Sequence, residues 1–255
     1  MTWLFLRTTG AALLIALAAL PTQAAADPAH PVQKHAFKLP PSADLDYAIT
    51  ARQSGLQIQG SASVQWRTDG KTYSVVSETR AMLVGKILEA KSSGGIDSYG
   101  LAPSTFTETR FRKAPTSASF QRAGSGGSIT FAQSDASYPL LGGEQDRTSV
   151  IWQLIAIARA APHKFKPGSE WQFFVAGQRD AERWTFKVSG SEKIRSLAGD
   201  QRALHITRAP PPDAQSQKLD IWLAPALDWY PVKLRFTDAD GDYIEQRLQR
   251  HQPQP

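Results

Sequence analysis

The side chains able to do chemistry in this chain are scattered, and its 5 histidines show this first. His30 and His35 stand in a proline-rich stretch, His163 follows a helical run, His205 falls in an alternating run, and His251 lies in the tail. No His-Glu-x-x-His motif or other paired ligand spacing occurs, so a zinc centre is not expected. A cysteine count of 0 removes thiolate ligands, cysteine nucleophiles, disulfide scaffolds and lipid-modified cysteine anchors. There is no Gly-x-Ser-x-Gly elbow, P-loop or dinucleotide fingerprint, and the run Gly124-Ser125-Gly126-Gly127 reads as a flexible hairpin tip. No catalytic residue, metal or cofactor is assigned on this basis.

Two acidic groups need separate treatment. Asp238, Asp240, Asp242 and Glu245 have the density of a calcium loop. A helix-flanked calcium loop wants its glycine after the third acidic ligand, however, and Gly241 precedes Asp242, so a solvated hairpin turn is the better reading. Asp220 shares one strand face with Lys218 and Trp222, while Leu219, Ile221 and Leu223 share the other. This carboxylate either belongs to a polar site beside tryptophan or pairs with Lys233 or Arg235 of the following strand, and pairing is the simpler expectation. An enzyme would need Asp220, His205 and an arginine gathered in one cleft.

The aromatic residues follow the strands. Trp66, Trp171, Trp184 and Trp222 all stand on period-two runs, where most aromatics fill the inside of a sheet. Where the interior is too wide to be filled, such residues line an apolar cavity instead. The candidate ligand-binding residues are accordingly Trp66, Tyr73, Trp184, Asp220 and Trp222.

These residues are positioned by elements with a strong period of two. Leu56, Ile58, Gly60, Ala62, Val64 and Trp66 alternate with Gln57, Gln59, Ser61, Ser63, Gln65 and Arg67, which predicts a strand with one packed and one wet face. Thr68-Asp69-Gly70-Lys71 then turns the chain into a partner strand carrying Tyr73 and Val75. Similar hairpins are expected around Gly177-Gln178-Arg179-Asp180 and Asp238-Ala239-Asp240-Gly241. One segment departs from this pattern: Asp146 can cap a helix whose apolar positions are Val150, Ile151, Leu154, Ile155 and Ala158, with Pro162 closing it. The expected fold is mainly β, a curved antiparallel sheet or partly open β-barrel with one amphipathic helix near residues 146–161. That helix either covers a core or acts as a lid on a cavity.

Met1 to Ala26 reads as a secretory signal peptide, with Arg7 ahead of an apolar run from Ala11 to Leu20, a break at Pro21 and small residues around Ala24 and Ala26. The apolar run is too short for a bilayer span, which needs about 20 residues. Residues 27–43, with Pro28, Pro31, Pro40 and Pro41, read as an extended linker, and residues 44–250 as a single β domain. The formal charge of +6 is spread along the chain rather than concentrated, so no nucleic-acid partner is expected.

Several short motifs also occur in a recognisable order. Gly60-Ser61-Ala62 leads to Trp66, then come Ser93-Gly94-Gly95-Ile96 and Gly100-Leu101-Ala102-Pro103. Gln145-Asp146-Arg147-Thr148-Ser149 and Asp220-Ile221-Trp222-Leu223-Ala224-Pro225 follow, ahead of Tyr230-Pro231-Val232-Lys233-Leu234. Together they resemble the exported bacterial family of unknown function DUF3108, over roughly Leu45 to Gln249. The resemblance implies an envelope protein, mostly β, with no catalytic residues to carry over. The shape expected from the strands is similar to that of periplasmic lipoprotein carriers.

The function expected from these readings is non-catalytic. It is the binding or carriage of an apolar or amphipathic ligand or client in a barrel-like cavity in the periplasm. A structural or interaction module of the envelope with a filled core is the alternative, and an enzyme of unknown class the third. The expected partners are a lipid, a lipoprotein or another envelope component, with no transmembrane segment left once the leader is cleaved.

Overall fold

Alternating side chains become strands of a single large sheet. The computed structural model describes residues 30–124, 126–195, 199–210 and 217–254; the leader Met1–Ala26 and Ser125 lie outside the described residues. The first half is a meander of β1 (Ala43–Gln53), β2 (Leu56–Thr68), β3 (Thr72–Ala81), β4 (Gly85–Asp97), β5 (Gly100–Arg110), β6 (Thr116–Ala123), β7 (Gly126–Phe131) and β8 (Ser134–Pro139). After β9 (Gln145–Asp146) and α1 (Ser149–Ala160) come β10 (Glu170–Ala176), β11 (Ala181–Ile194), β12 (Gln201–Arg208), β13 (Lys218–Leu223), β14 (Pro231–Thr237) and β15 (Tyr243–Pro253).

All neighbouring strands are antiparallel except the short β9–β10 pair. The 15-stranded order runs from β8 down to β1, crosses to β15, and continues down to β9. The β1–β15 ladder, from Ala43 opposite Pro253 to Arg52 opposite Tyr243, therefore joins the two halves of the chain. The sheet is open, with β8 and β9 as its edges. Where those edges approach, His30 stacks on Phe174 with ring centroids 3.8 Å apart and bonds Glu144 at 3.1 Å. The Glu144 carboxylate also accepts from the backbone amides of Leu141 and Gly142.

Antiparallel connectivity sorts the turns into two ends. The β1–β2, β3–β4 and β14–β15 turns form a mouth, and the β2–β3 and β4–β5 turns with the β13–β14 connection form a base. The helix α1 fills the base half. Trp152 stacks on Trp66 of β2 at 4.4 Å with the rings 7° apart, and its edge meets Tyr230 at 6.0 Å. Gln153 satisfies its buried amide against β5, accepting from Leu101 N at 2.8 Å and donating to Tyr99 O at 2.7 Å. Gly100 permits this approach: its φ is +114°, and a Cβ there would lie 2.3 Å from Gln153 Oε1.

The apolar stripe read from sequence covers one side of α1, but the structure also buries Trp152, Gln153 and Ile157. The proline-rich stretch explains the difference. Residues 30–42 form no ladder, yet they lie across the helix, with Lys38 N donating to Ala156 O at 2.8 Å and Phe37 and Leu39 packed on the core. Trp66 Nε1 donates to Pro40 O at 3.1 Å, and the Tyr230 hydroxyl donates to Pro41 O. The strap covers the face of α1 that a bare amphipathic helix would leave wet.

The Trp66–Trp152 stack is buried in the core, with Trp66 0% and Trp152 3% exposed. Trp152→Ala is expected to lower the free energy of unfolding by about 3–5 kcal/mol, read from urea denaturation with the transition still cooperative.

Candidate ligand-binding site at the mouth

The inward side chains narrow between the centre of the sheet and the mouth. Along β2 they run Trp66, Val64, Ala62, Gly60 before Ile58 at the rim, and along β1 Tyr47, Ile49, Ala51. With α1 held in the base half, this taper leaves an apolar concavity of about 350 Å³ at the mouth. Ile49 and Ala51 of β1, Ile58 of β2, Ala81 of β3, Ile87 of β4 and Ile244 of β15 form its walls. Val84 and Phe111 stand at its lip, and Thr79, Gln53, Gln59 and Arg80 supply the few polar groups. Apolar walls with a few polar groups at the edge are the usual make-up of a small-molecule site.

A second depression, of about 470 Å³, lies on the outward face over Ala48, Ser61 and Ser63. It exists because those side chains are small. Its charged rim is already paired, with Arg80 on Glu78 at 2.5 Å and Arg250 on Asp46 at 2.7 Å, so the apolar mouth is the stronger candidate.

None of the five residues singled out from sequence lines the mouth concavity. Trp66 and Tyr73 belong to the filled base. Trp184 lies under the Arg208 guanidinium, 4.4 Å from its ring centre, and donates to Glu182 at 2.9 Å. Asp220 and Trp222 lie on the outward face, as the alternation of β13 requires, together with His205 of β12. Trp222 stacks on His205 at 4.4 Å, takes Lys233 Nζ over its face at 4.2 Å, and donates to Glu192 at 2.8 Å.

Asp220 and His205 are brought together, 2.9 Å apart, but on this outward face and not in a cleft. Although Asp220 is opposite Arg235 in the ladder, its ion pair is with Lys218 at 2.9 Å. Lys233 and Arg235 turn instead to Glu245, at 3.1 and 3.4 Å, which corrects the expected pairing of Asp220 with the following strand. Burial acts to raise the Asp220 carboxyl, but hydrogen bonds from His205, Thr207 and Lys218 outweigh it and hold it at about 2.

The residues at the lip escaped the sequence reading. Leu56 and Ile58 begin a run whose alternation predicts a packed face, yet both are exposed, because only the part of β2 from Ala62 onward reaches the core. Met82, Leu83 and Val84 form a hairpin tip, where polar turn residues are the rule. Three apolar residues between Ala81 and Gly85 were the available signal.

Between mouth and base lies a buried carboxylate. Asp146 Oδ1 accepts from the backbone amides of Thr148 and Ser149, both at 2.8 Å, and Oδ2 accepts from Ser92 of β4 at 2.5 Å. Ser92 in turn meets the Tyr73 hydroxyl at 2.9 Å. Asp146 thus holds the start of α1 from just before its N-cap residue Thr148, and burial pushes its carboxyl up to about 6 against those hydrogen bonds. Among the described residues no group of three or more His, Asp or Glu could hold a metal ion, and no helix is long and apolar enough to cross a membrane.

A family model described as "Protein of unknown function (DUF3108)" matches residues 46–249. No curated protein matches the sequence. Among solved structures, the chain is similar to a β-barrel-like protein of the DUF1849 family from Brucella abortus. That match has a TM-score of 0.58 at 10% identity and covers 86% of this chain and 100% of the other, which supports the shared fold. Weaker matches are a DUF1329 protein from Desulfovibrio piger (TM-score 0.30, 7% identity, 84% and 86% covered) and a LolA superfamily protein from Nitrosomonas europaea (TM-score 0.21, 10% identity, 86% and 89% covered).

An acid whose folded-state pKa is raised favours folding while it is protonated and loses that contribution as pH climbs through the folded value. Between the ordinary carboxyl value of 3.8 and about 6, the contribution of Asp146 to stability should therefore fall by about 3 kcal/mol. Asp146→Asn is expected to gain stability relative to the parent by about that amount as pH rises from about 4 to about 7. Paired denaturation curves across this range check it; a difference independent of pH would contradict the raised pKa.

Proposed function

The chain belongs to the DUF3108 family, described as proteins of unknown function, and from that premise we propose that it binds the apolar part of an amphipathic ligand at the mouth of its sheet. The ligand class is a lipid or a lipid-bearing client. The place of work is the bacterial envelope, which the protein reaches through the signal peptide read at Met1–Ala26. The observation that carries this reading is the division of the interior: α1 fills the base, while the mouth keeps about 350 Å³ of apolar space open to the outside. A purely structural module has no need for that space, and a concavity of this size lies at the lower end of the range for ligand pockets, about 300–1,000 Å³.

Ala81 faces this space from the last position of β3. A fluorescent apolar probe, 1-N-phenylnaphthylamine, is expected to bind saturably to the parent protein. Ala81→Trp, which fills the mouth without touching the base, is expected to weaken that binding by about tenfold or more. Absence of saturable binding, or equal binding by Ala81→Trp with its fold intact, refutes the reading.

A further inference from the structure

The lip of the mouth carries more exposed apolar surface than a ligand concavity needs. Leu83 is 96% exposed, Met82 75% and Leu56 69%, and Ile58, Val84 and Phe111 are exposed beside them. All six cluster at one end, on the β1–β2 and β3–β4 turns and the end of β5. Isolated surface leucines need no explanation, but a contiguous patch on fixed hairpin tips marks an interaction surface. The β3–β4 tip is held by its backbone: Met82 N donates to Gln59 O at 3.1 Å and Val84 N to Ala81 O at 3.3 Å. Gly85, at φ +82°, closes the turn.

The charge around this patch identifies what it meets. Arg52, Arg80, Lys86, Arg110, Arg112 and Lys113 are exposed around it. Glu78, Glu89 and Glu108 pair with three of them: Arg80 on Glu78 at 2.5 Å, Lys86 on Glu89 at 3.1 Å and Arg110 on Glu108 at 2.5 Å. Arg112 and Lys113 have no ion pair among the described residues, so the balance on the β3–β5 side of the tip is positive, while Arg52, which also has none there, stands opposite Tyr243 next to the acidic turn. The acidic turn Asp238, Asp240 and Asp242 reaches the mouth beside Ser54, with the β1–β2 turn between it and the β3–β4 tip. Apolar tips flanked by basic side chains match the two layers of an anionic bilayer surface, acyl boundary inside and phosphate outside. Arginine and lysine stems lie along apolar surface while their heads stay with the phosphates.

We propose that the Met82-Leu83-Val84 tip, with Leu56 and Phe111 beside it, inserts into the surface of an anionic phospholipid bilayer and sets the mouth against the membrane. Met82, Leu83 and Leu56 lie outside the concavity, whereas Val84 and Phe111 also form its lip, and the docking holds whether or not the concavity takes a ligand. A second copy of the chain is the competing occupant, and like-charged flanks facing each other disfavour it.

The absence of cysteine allows a clean test. Leu83→Cys and Lys71→Cys, the latter at the β2–β3 turn of the base, are each labelled with an environment-sensitive nitrobenzofurazan dye. They are mixed with vesicles of equal parts phosphatidylglycerol and phosphatidylcholine. The Leu83 label is expected to shift to the blue and brighten, less so in high salt, while the Lys71 label stays unchanged. In the unlabelled protein, Met82→Ser combined with Leu83→Ser is expected to reduce vesicle binding by about tenfold or more with the thermal midpoint unchanged. No shift at Leu83, equal shifts at both labels, binding that survives the double substitution, or sedimentation showing the tip buried in a dimer would overturn the proposal.

Discussion

The N-terminus of α1 hangs on a carboxylate that water does not reach. Asp146 takes the amides of Thr148, the N-cap residue, and Ser149, the first residue of the helix, on one oxygen and Ser92 of the wall on the other. Its position sets the height of the helix inside the sheet. One turn further on, Trp152 meets Trp66 and Gln153 meets the backbone of β5, contacts that close only if the helix starts where Asp146 places it. The raised pKa shows that burying the charge is costly, and the hydrogen bonds offset only part of that cost. Apolar packing along the rest of α1 holds the arrangement in place.

Helix position and side-chain size together decide where the molecule is hollow. A sheet this wide would leave a large void if its interior were empty. The base avoids that with a helix, a strap and large aromatics. The mouth has Ala51, Gly60 and Ala81 facing inward instead, and Gly60 lets β2 and β3 come so close that a Cβ would lie 2.3 Å from Arg80 O. The concavity is thus built by omission, through small residues in register on adjacent strands. That register belongs to the ladders, in which Gly60 pairs with Ala81 and with Ile49.

Much of this architecture was legible in the sequence because strand periodicity is local. The alternation through Trp66, the turns after Thr68 and Ala176, and the place of Asp146 at the helix start all depend on neighbours within a few residues. The site was not legible, for a physical reason. Alternation assigns Leu56, Ile58 and Trp66 to one face, but it cannot show that α1 covers Trp66 and leaves Leu56 and Ile58 bare. Nor can it say which face of β13 turns inward, so Asp220 and Trp222 looked like lining residues when the inward set is Leu219, Ile221 and Leu223. The proline-rich stretch was read as a linker from composition, and its contact with Ala156 is a long-range fact.

The outward face and the mouth solve opposite problems. Around Trp222 the described charges have partners: Asp220 with Lys218; Lys233, Arg235 and Arg247 with Glu245; and Glu192 with the indole N–H. Polar groups already bonded to one another in such a network offer less to a ligand than unmet ones do. At the mouth the balance is reversed. The lip exposes apolar side chains that none of the described residues covers, and the concavity has few polar groups to hold water in place. Exposed apolar area lowers its free energy by finding a partner, whereas a satisfied polar cluster does not. The chemistry-bearing residues of this protein are therefore its quiet part, and its incomplete surface is the one made of leucine, isoleucine, methionine and valine.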